Sequence, residues 1–303
     1  MHAFFPLLLL FAAGFLCRRF RLLPEYSADI LNRVVLMLCL PAAILLSVSK
    51  LVFSWQWLGL AGIAWGNALF AALLLCLLRK RYRWKRDEFA VLLLCAALGN
   101  TGYLGFAVTQ ALWGENARAL AVVFDQFGTV AILSVFGLIL CVRASAGQEK
   151  NVSPLYTLRR MLGFPPTLAM LVGLLLPQGE LNRFDGLVQT LHLLADAMLP
   201  LVMLATGFAF RLHLPEPRQM TALVIGLSLK LLLLPAAAWG MARGLGFKDD
   251  FFRVGVLEAA MPPMATAAVL ACRYQLAPQL AYGLIGYGLL LSFVTLPLWT
   301  RCL

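Results

Sequence analysis

The sequence predicts an all-α integral membrane protein of ten transmembrane helices, built as two inverted five-helix repeats with crossed, broken helices four and nine. Three observations carry this expectation. Hydrophobic residues are 62% and charged residues 13% of the 303, against roughly 45–50% and about 25% in soluble domains. A single soluble core cannot bury that much apolar surface. Ten helices of about 20 residues need roughly 200 residues, which the chain supplies. The second half also repeats the first. Arg86-Asp87-Glu88-Phe89 opens an apolar stretch interrupted at Gly99-Asn100-Thr101-Gly102, and roughly 160 residues later Lys248-Asp249-Asp250-Phe251 opens another, interrupted at Pro262-Pro263.

The expected spans are 3–17, 27–49, 56–78, 88–113 and 117–142, then 158–176, 186–210, 219–242, 250–273 and 277–299. The first is followed, not preceded, by Arg18, Arg19 and Arg21. That order is the reverse of a cleavable signal, so it reads as an uncleaved helix with its N-terminus outside. The second and seventh contain Leu40-Pro41 and Leu199-Pro200 at a matching interval. The third ends on the basic run Arg79 to Arg86, a topology determinant and lipid-headgroup contact. The fourth and ninth open on Asp87-Glu88 and Asp249-Asp250, acids that complement the dipole of a helix start. The polar stretch Arg143 to Arg159 divides the fifth from the sixth. Residues 1–145 are then the first repeat, 146–157 a cytoplasmic linker and 158–303 the second repeat. Five spans per repeat oblige the two to insert with opposite orientation.

Charge supports that topology and excludes another class. The net charge is +11, but the basic residues cluster in short loops between apolar runs, as the positive-inside rule requires. With the N-terminus outside, sixteen Lys and Arg fall in inside loops and seven, Lys50 and Arg118 among them, outside. Both termini are placed outside the cytoplasm, across the inner cell membrane, and nucleic acid is not an expected partner. The seven cysteines form no C-x-x-C pair or metal-ligand spacing; they read as small packing residues. No metal, cofactor or nucleotide motif is present, so any driving force comes from gradients or exchange.

The two interruptions carry the chemistry. A broken membrane helix frees carbonyls on one side and N–H groups on the other, tolerable only inside protein or beside a water-filled cavity. Gly99, Gly102 and Gly105 permit unwinding, and Pro263, like Pro262, cannot continue a helix. The N–H groups at Thr101 to Tyr103 and Met264 to Thr266 open new half-helices whose positive ends suit carboxylates. Paired, interrupted segments in corresponding positions of two halves point to the binding site of a secondary transporter.

The stretches Gly99-Asn100-Thr101-Gly102-Tyr103-Leu104-Gly105-Phe106 and Glu258-Ala259-Ala260-Met261-Pro262-Pro263-Met264-Ala265, the latter running on to Arg273-Tyr274, resemble the two crossovers of the auxin efflux carrier family. Leu289 to Pro297, with Ser292, resembles that family's last helix, and the likeness covers the whole chain. The family includes plant PIN carriers and short bacterial permeases. The resemblance implies a ten-helix inverted repeat with crossover and scaffold domains, elevator-type alternating access, and organic anions as cargo: auxin in plant carriers, malate or malonate in bacterial ones. Two departures stand out. Ala107 replaces a frequent proline, and the third span has Asn67 but no ionisable residue where plant carriers place charged groups.

Asp125, His192, Asp196, Lys230 and Glu258 are the ionisable residues expected within spans, each costly in hydrocarbon unless it meets a partner or cavity. Glu258 lies one turn before Pro262 and reads as a proton or cation ligand whose replacement by Gln spares folding. His192 and Asp196 share a helix face and could pair, but an interhelical hydrogen bond, or a position near the outer surface for His192, is the preferred reading. Lys230 could be the substrate's counter-charge, but an internal pair with Asp196 or Asp125 is the preferred reading, since an unpaired buried lysine tends to lose its proton. Gln126, beside Asp125, is expected to line the cavity. The expected function is a secondary active transporter of small organic anions, with Asn100, Thr101, Gly102, Tyr103, Pro262, Pro263, Met264 and Thr266 on the substrate and a proton or sodium as coupling ion. The alternatives are a sodium-coupled carrier of the bile-acid symporter fold and an intramembrane enzyme. The absence of H-E-x-x-H and G-x-S-x-G counts against the enzyme. A homodimer is compatible with apolar faces that read alike toward lipid and toward a partner.

Overall fold

The computed structural model describes residues 4–50, 54–144, 163–177, 179–211 and 215–303. The linker 146–157 and the start of the sixth expected span lie outside the described residues. Among those described, everything regular is helical, apart from one isolated antiparallel bridge between Gly99 and Pro263.

The helices, in chain order, begin with α1 (Phe4–Arg19), α2 (Ser27–Val34), α3 (Leu40–Val48), α4 (Gln56–Tyr82) and α5 (Arg86–Ala97). After the first interruption come α6 (Phe106–Phe124), α7 (Leu138–Ala144), α8 (Pro165–Leu175) and α9 (Asp185–Ala209). The last are α10 (Met220–Ser228), α11 (Leu234–Gly244), α12 (Asp249–Ala260), α13 (Ala265–Arg273) and α14 (Pro278–Cys302). Among the described residues, six helical stretches are long and apolar enough to cross a membrane: Ser27–Val48, Gln56–Tyr82, Thr101–Cys141, Asp185–Ala209, Pro217–Gly244 and Pro278–Cys302. α5 and α12 are short for a physical reason, since each stops after 12 residues at an interruption. Thr101–Cys141 bends at Gly114, whose φ of 83° and ψ of −167° belong to glycine alone. That bend falls between the expected fourth and fifth spans.

Wide π-helical turns over Val35–Cys39 and Leu229–Leu233 precede Leu40-Pro41 and Leu234-Pro235. A proline cannot donate to the carbonyl four residues back and its ring crowds that carbonyl. A turn widened ahead of it relieves both problems. Pro200, in contrast, sits inside α9.

The chain forms two compact units. Unit 1 takes residues 1–54, 102–122 and 153–210; unit 2 takes residues 55–101, 123–152 and 211–303. Each draws on both halves of the sequence. Within unit 1, α1 and α9 approach to backbone contact: a Cβ on Gly14 would stand 2.2 Å from the Leu204 carbonyl oxygen, and one on Gly207 would stand 2.0 Å from that of Phe11. Small residues at such crossings let dispersion hold helices together where lipid removes the hydrophobic drive. Gly207→Ala is expected to lower stability by about 1–3 kcal/mol through forced separation of the two helices. Gly62→Ala, on an open face of α4, should cost nothing and gain up to about 1 kcal/mol. Thermal unfolding of the two purified variants checks the contrast, and equal melting would refute it.

Within unit 2, α4 shows how one helix serves core and lipid together. Leu60, Ile63, Asn67, Ala71 and Leu75 are buried along one face, while Leu69, Leu73 and Leu77, four residues apart, are exposed on another. The start of α5 is fastened by Glu88, whose Oε2 accepts the Lys85 N–H at 2.9 Å. Its Oε1 accepts from Arg218 Nη2 at 2.9 Å and from Gln219 Nε2 at 3.3 Å. Glu88 is therefore a cap, as its position predicts, and also an anchor. Asp249 and Asp250 occupy the first turn of α12 without a side-chain capping bond.

Candidate functional site

Both interruptions belong to unit 2 from Leu98 to Thr101 and from Met261 to Met264, and their backbones pair. The Asn100 N–H donates to the Pro262 carbonyl at 2.8 Å, and the Met264 N–H donates to the Leu98 carbonyl at 3.1 Å. These two bonds flank the Gly99–Pro263 bridge. Each break thus satisfies backbone groups that the other frees, which is how non-helical backbone survives inside a membrane protein. Gly288 of α14 makes room for this arrangement, because a Cβ there would stand 2.5 Å from Pro263 Cδ.

Around the bridge the structure gathers buried polar side chains. The Thr101 hydroxyl donates a short hydrogen bond to Asp125 Oδ1, and Gln126 Nε2 donates to Asp125 Oδ2 at 2.9 Å. Thr101, Asp125 and Gln126 are all buried. Lys230, 2% exposed, donates from Nζ to the Ala259 carbonyl at 2.9 Å. Ala259 lies in the last turn of α12, where carbonyls lose their helical partners. Glu258 is fully buried and within electrostatic reach of the Lys230 ammonium. A cavity of about 10 Å³ is lined by Asn67, Gly99, Thr101, Thr129, Lys230 and Glu258 among others. It has room for roughly one water. A larger cavity of unit 2, about 380 Å³, is lined by side chains such as Leu69, Leu93, Phe136 and Ile139. Several of these are exposed, so it opens at the surface of unit 2, whereas the small one is lined by buried polar side chains.

The expected site residues sort clearly. Asn100, Thr101, Pro262, Pro263 and Met264 lie at the paired breaks, with Asp125, Gln126, Lys230 and Glu258 beside them. The Met264 N–H, one of those expected to face a substrate, is used on Leu98. Thr266 is exposed in the first turn of α13, and Gly102 and Tyr103 belong to unit 1. Asp196 also lies in unit 1, where its Oδ1 accepts from Gln110 Nε2 at 3.3 Å. Lys230 therefore does not meet the partners expected for it: its ammonium bonds a carbonyl and faces Glu258. A sequence reports which residues share a helix, but not how neighbouring helices are rotated.

Thr101→Val is expected to leave the buried Asp125 carboxylate with one donor fewer, at about 1–3 kcal/mol of folding stability. Thr101→Ser retains the hydroxyl and should melt like the parent. Matching melting curves for the Val and Ser variants would show that the bond contributes nothing.

A second buried network, in unit 1, was not expected. Arg118, 1% exposed, lies well inside the protein. Its Nε donates to Ser47 Oγ at 2.8 Å and its Nη1 to Gln110 Oε1 at 2.7 Å, while Nη2 stands 4.0 Å from Glu115 Oε1. Glu115 also receives Lys50 Nζ at 2.7 Å and lies 3.3 Å from His192 Nδ1. His192 therefore faces Glu115 and does not pair with Asp196. The one available signal was Gly114: a bend there carries α6 back into the protein four residues before Arg118.

A family described as membrane transport protein matches residues 1–300. The chain belongs to the membrane transport protein family. This is the auxin efflux carrier group that its interruption motifs resemble. An uncharacterized transporter of Methanocaldococcus jannaschii is 28% identical over 301 residues, covering 96% of this chain and 95% of its own. One of Methanothermobacter thermautotrophicus is 29% identical, with 97% and 95% covered. The uncharacterized transporter YfdV of Escherichia coli K12 is 25% identical, with 97% and 94% covered. Family and apolar helices together make this a multi-pass membrane transporter and not an enzyme.

Proposed function

We propose that this membrane transport protein is a secondary active carrier of small organic anions, carboxylates of the malate or malonate kind and auxin-like acids. It works by elevator-type alternating access in a ten-helix, inverted-repeat frame with both termini outside the cytoplasm. The observation that carries the reading is the backbone pairing of the two interruptions at Gly99 and Pro263, beside buried Lys230 and Glu258. Helix starts at 101–103 and 264–266 present positive dipole ends to a carboxylate. Asn100, Thr101, Gly102 and Tyr103 on one side, and Pro262, Pro263, Met264 and Thr266 on the other, shape its site. Glu258, Asp125, Gln126, Asp196 and Lys230 are the candidates for handling a coupling proton or cation. The small cavity is far below the size of a dicarboxylate, so it suits the coupling step and not the cargo.

The test is uptake of labelled malonate, malate and indole-3-acetate into proteoliposomes under an imposed pH gradient or a sodium gradient. Saturable, counterflow-competent uptake stimulated by pH is the expected result. Stimulation by sodium alone would replace this reading with a sodium-coupled one. Absence of flux for every acid would refute the substrate class.

A further inference from the structure

The residues that line the cavity beside the bridge carry hard oxygen donors: Glu258 a carboxylate, Asn67 an amide, Thr101 and Thr129 hydroxyls, and Ala259 the carbonyl that Lys230 reaches. Oxygen shells of this kind hold small cations. Asn67 is 4% exposed, and its Oδ1 has no hydrogen-bond partner, so a buried acceptor points at a site that needs a donor or a cation. Yet the site already contains one positive charge. Lys230 Nζ reaches the Ala259 carbonyl, and it comes so near the first break that a Cβ on Gly99 would stand 2.9 Å from it. An ammonium carries three donors, of which the Ala259 carbonyl takes one. The other two suit the remaining acceptors of the same cavity, directly or through the single water it has room for.

We infer that the Lys230 ammonium is a tethered cation that occupies a monovalent-cation site formed by Glu258, Asn67 and the Ala259 carbonyl, so that the carrier holds its breaks together without a bound metal ion. The charge count agrees. Glu258 is the carboxylate lining the cavity, and one negative charge is balanced by one ammonium. Removal of the side chain beyond Cβ leaves a buried carboxylate, an amide oxygen and a carbonyl around a space with the volume of a lysine stem. That is a site for sodium, or for a small ammonium ion supplied from solution. The inference deepens the reading of this site as a coupling site, but its test needs no transported substrate.

The experiment measures the melting temperature of the full-length protein in detergent, in choline chloride, sodium chloride or methylammonium chloride at equal ionic strength. Wild type and Lys230→Arg are expected to melt alike in all three. Lys230→Ala is expected to melt lower in choline and to rise by about 2 °C or more in sodium or methylammonium, as binding to the folded state requires. Lys230→Ala/Glu258→Ala, which removes both ionisable side chains that line the cavity and leaves Asp125 on its own donors Thr101 and Gln126, is expected to fold and to ignore all three salts. A wild-type response to sodium as large as that of Lys230→Ala would overturn the inference. So would a Lys230→Ala protein that recovers in neither cation while the double variant folds. Absent carboxylate flux would refute the proposed cargo and leave this result untouched.

Discussion

Glu258→Gln is expected to reduce uptake to background and also to destabilise the protein, whereas the double variant Glu258→Gln/Lys230→Met recovers folding without recovering uptake. Position alone suggests a Gln that spares the fold. The structure changes that expectation, because Glu258 is fully buried and its charge faces the ammonium of Lys230, itself 2% exposed. Removing one member of a buried pair strands the other charge in a medium that cannot solvate it, at about 3–5 kcal/mol. Removing both and filling the space with an apolar chain is commonly neutral or stabilising. The two single variants and the double therefore form a cycle with a large coupling term. Unfolding curves supply the stability arm and proteoliposome uptake the functional one. Additive effects on stability would show that the two charges do not compensate each other. Normal uptake by Glu258→Gln would remove the carboxylate from the transport mechanism.

Class and interruptions were legible in the sequence because both rest on residue type. An excess of apolar residues needs no structure to interpret, and Gly99, Gly102, Pro262 and Pro263 restrict the backbone wherever they occur. That the two breaks belong together was legible from their spacing in the repeat. What the spacing did not contain was the register that pairs Asn100 with Pro262 and Met264 with Leu98. Partners of ionisable side chains were the least legible feature. His192 and Asp196 share a helix face, yet they bond to Glu115 and Gln110 of α6 instead. Proximity along one helix does not tell which neighbour is nearer across a gap. The charge-topology argument also weighed Arg118 by its position near a span end, whereas the bend at Gly114 turns it inward.

Arg118→Met is expected to destabilise unit 1 by about 3–5 kcal/mol, while Lys50→Met, which removes another cation from the same carboxylate, is expected to cost at most about 1 kcal/mol. Both residues lie near Glu115, and Lys50 is the nearer at 2.7 Å against 4.0 Å, so distance to the acid alone would rank them the other way. Burial decides the order. Lys50 and Glu115 leave 45% and 34% of their side chains in solvent, where screening and side-chain entropy offset most of the attraction. Arg118 is 1% exposed, and its guanidinium ties Ser47 of α3 to Gln110 and Glu115 on either side of the Gly114 bend in its own helix. Gln110 in turn donates to Asp196 of α9, so the arginine also fixes the amide that reaches a third element. Two charge-assisted bonds at about 1.5–3 kcal/mol each account for the expected loss. Arg118→Lys should recover little of it, because a single ammonium cannot span Ser47 and Gln110 as a planar fork does. Denaturant unfolding of the three variants in micelles makes the comparison. If Arg118→Met and Lys50→Met prove equally mild, the buried network does not hold unit 1 together. If Arg118→Lys matches the parent, charge alone suffices and the fork geometry is irrelevant.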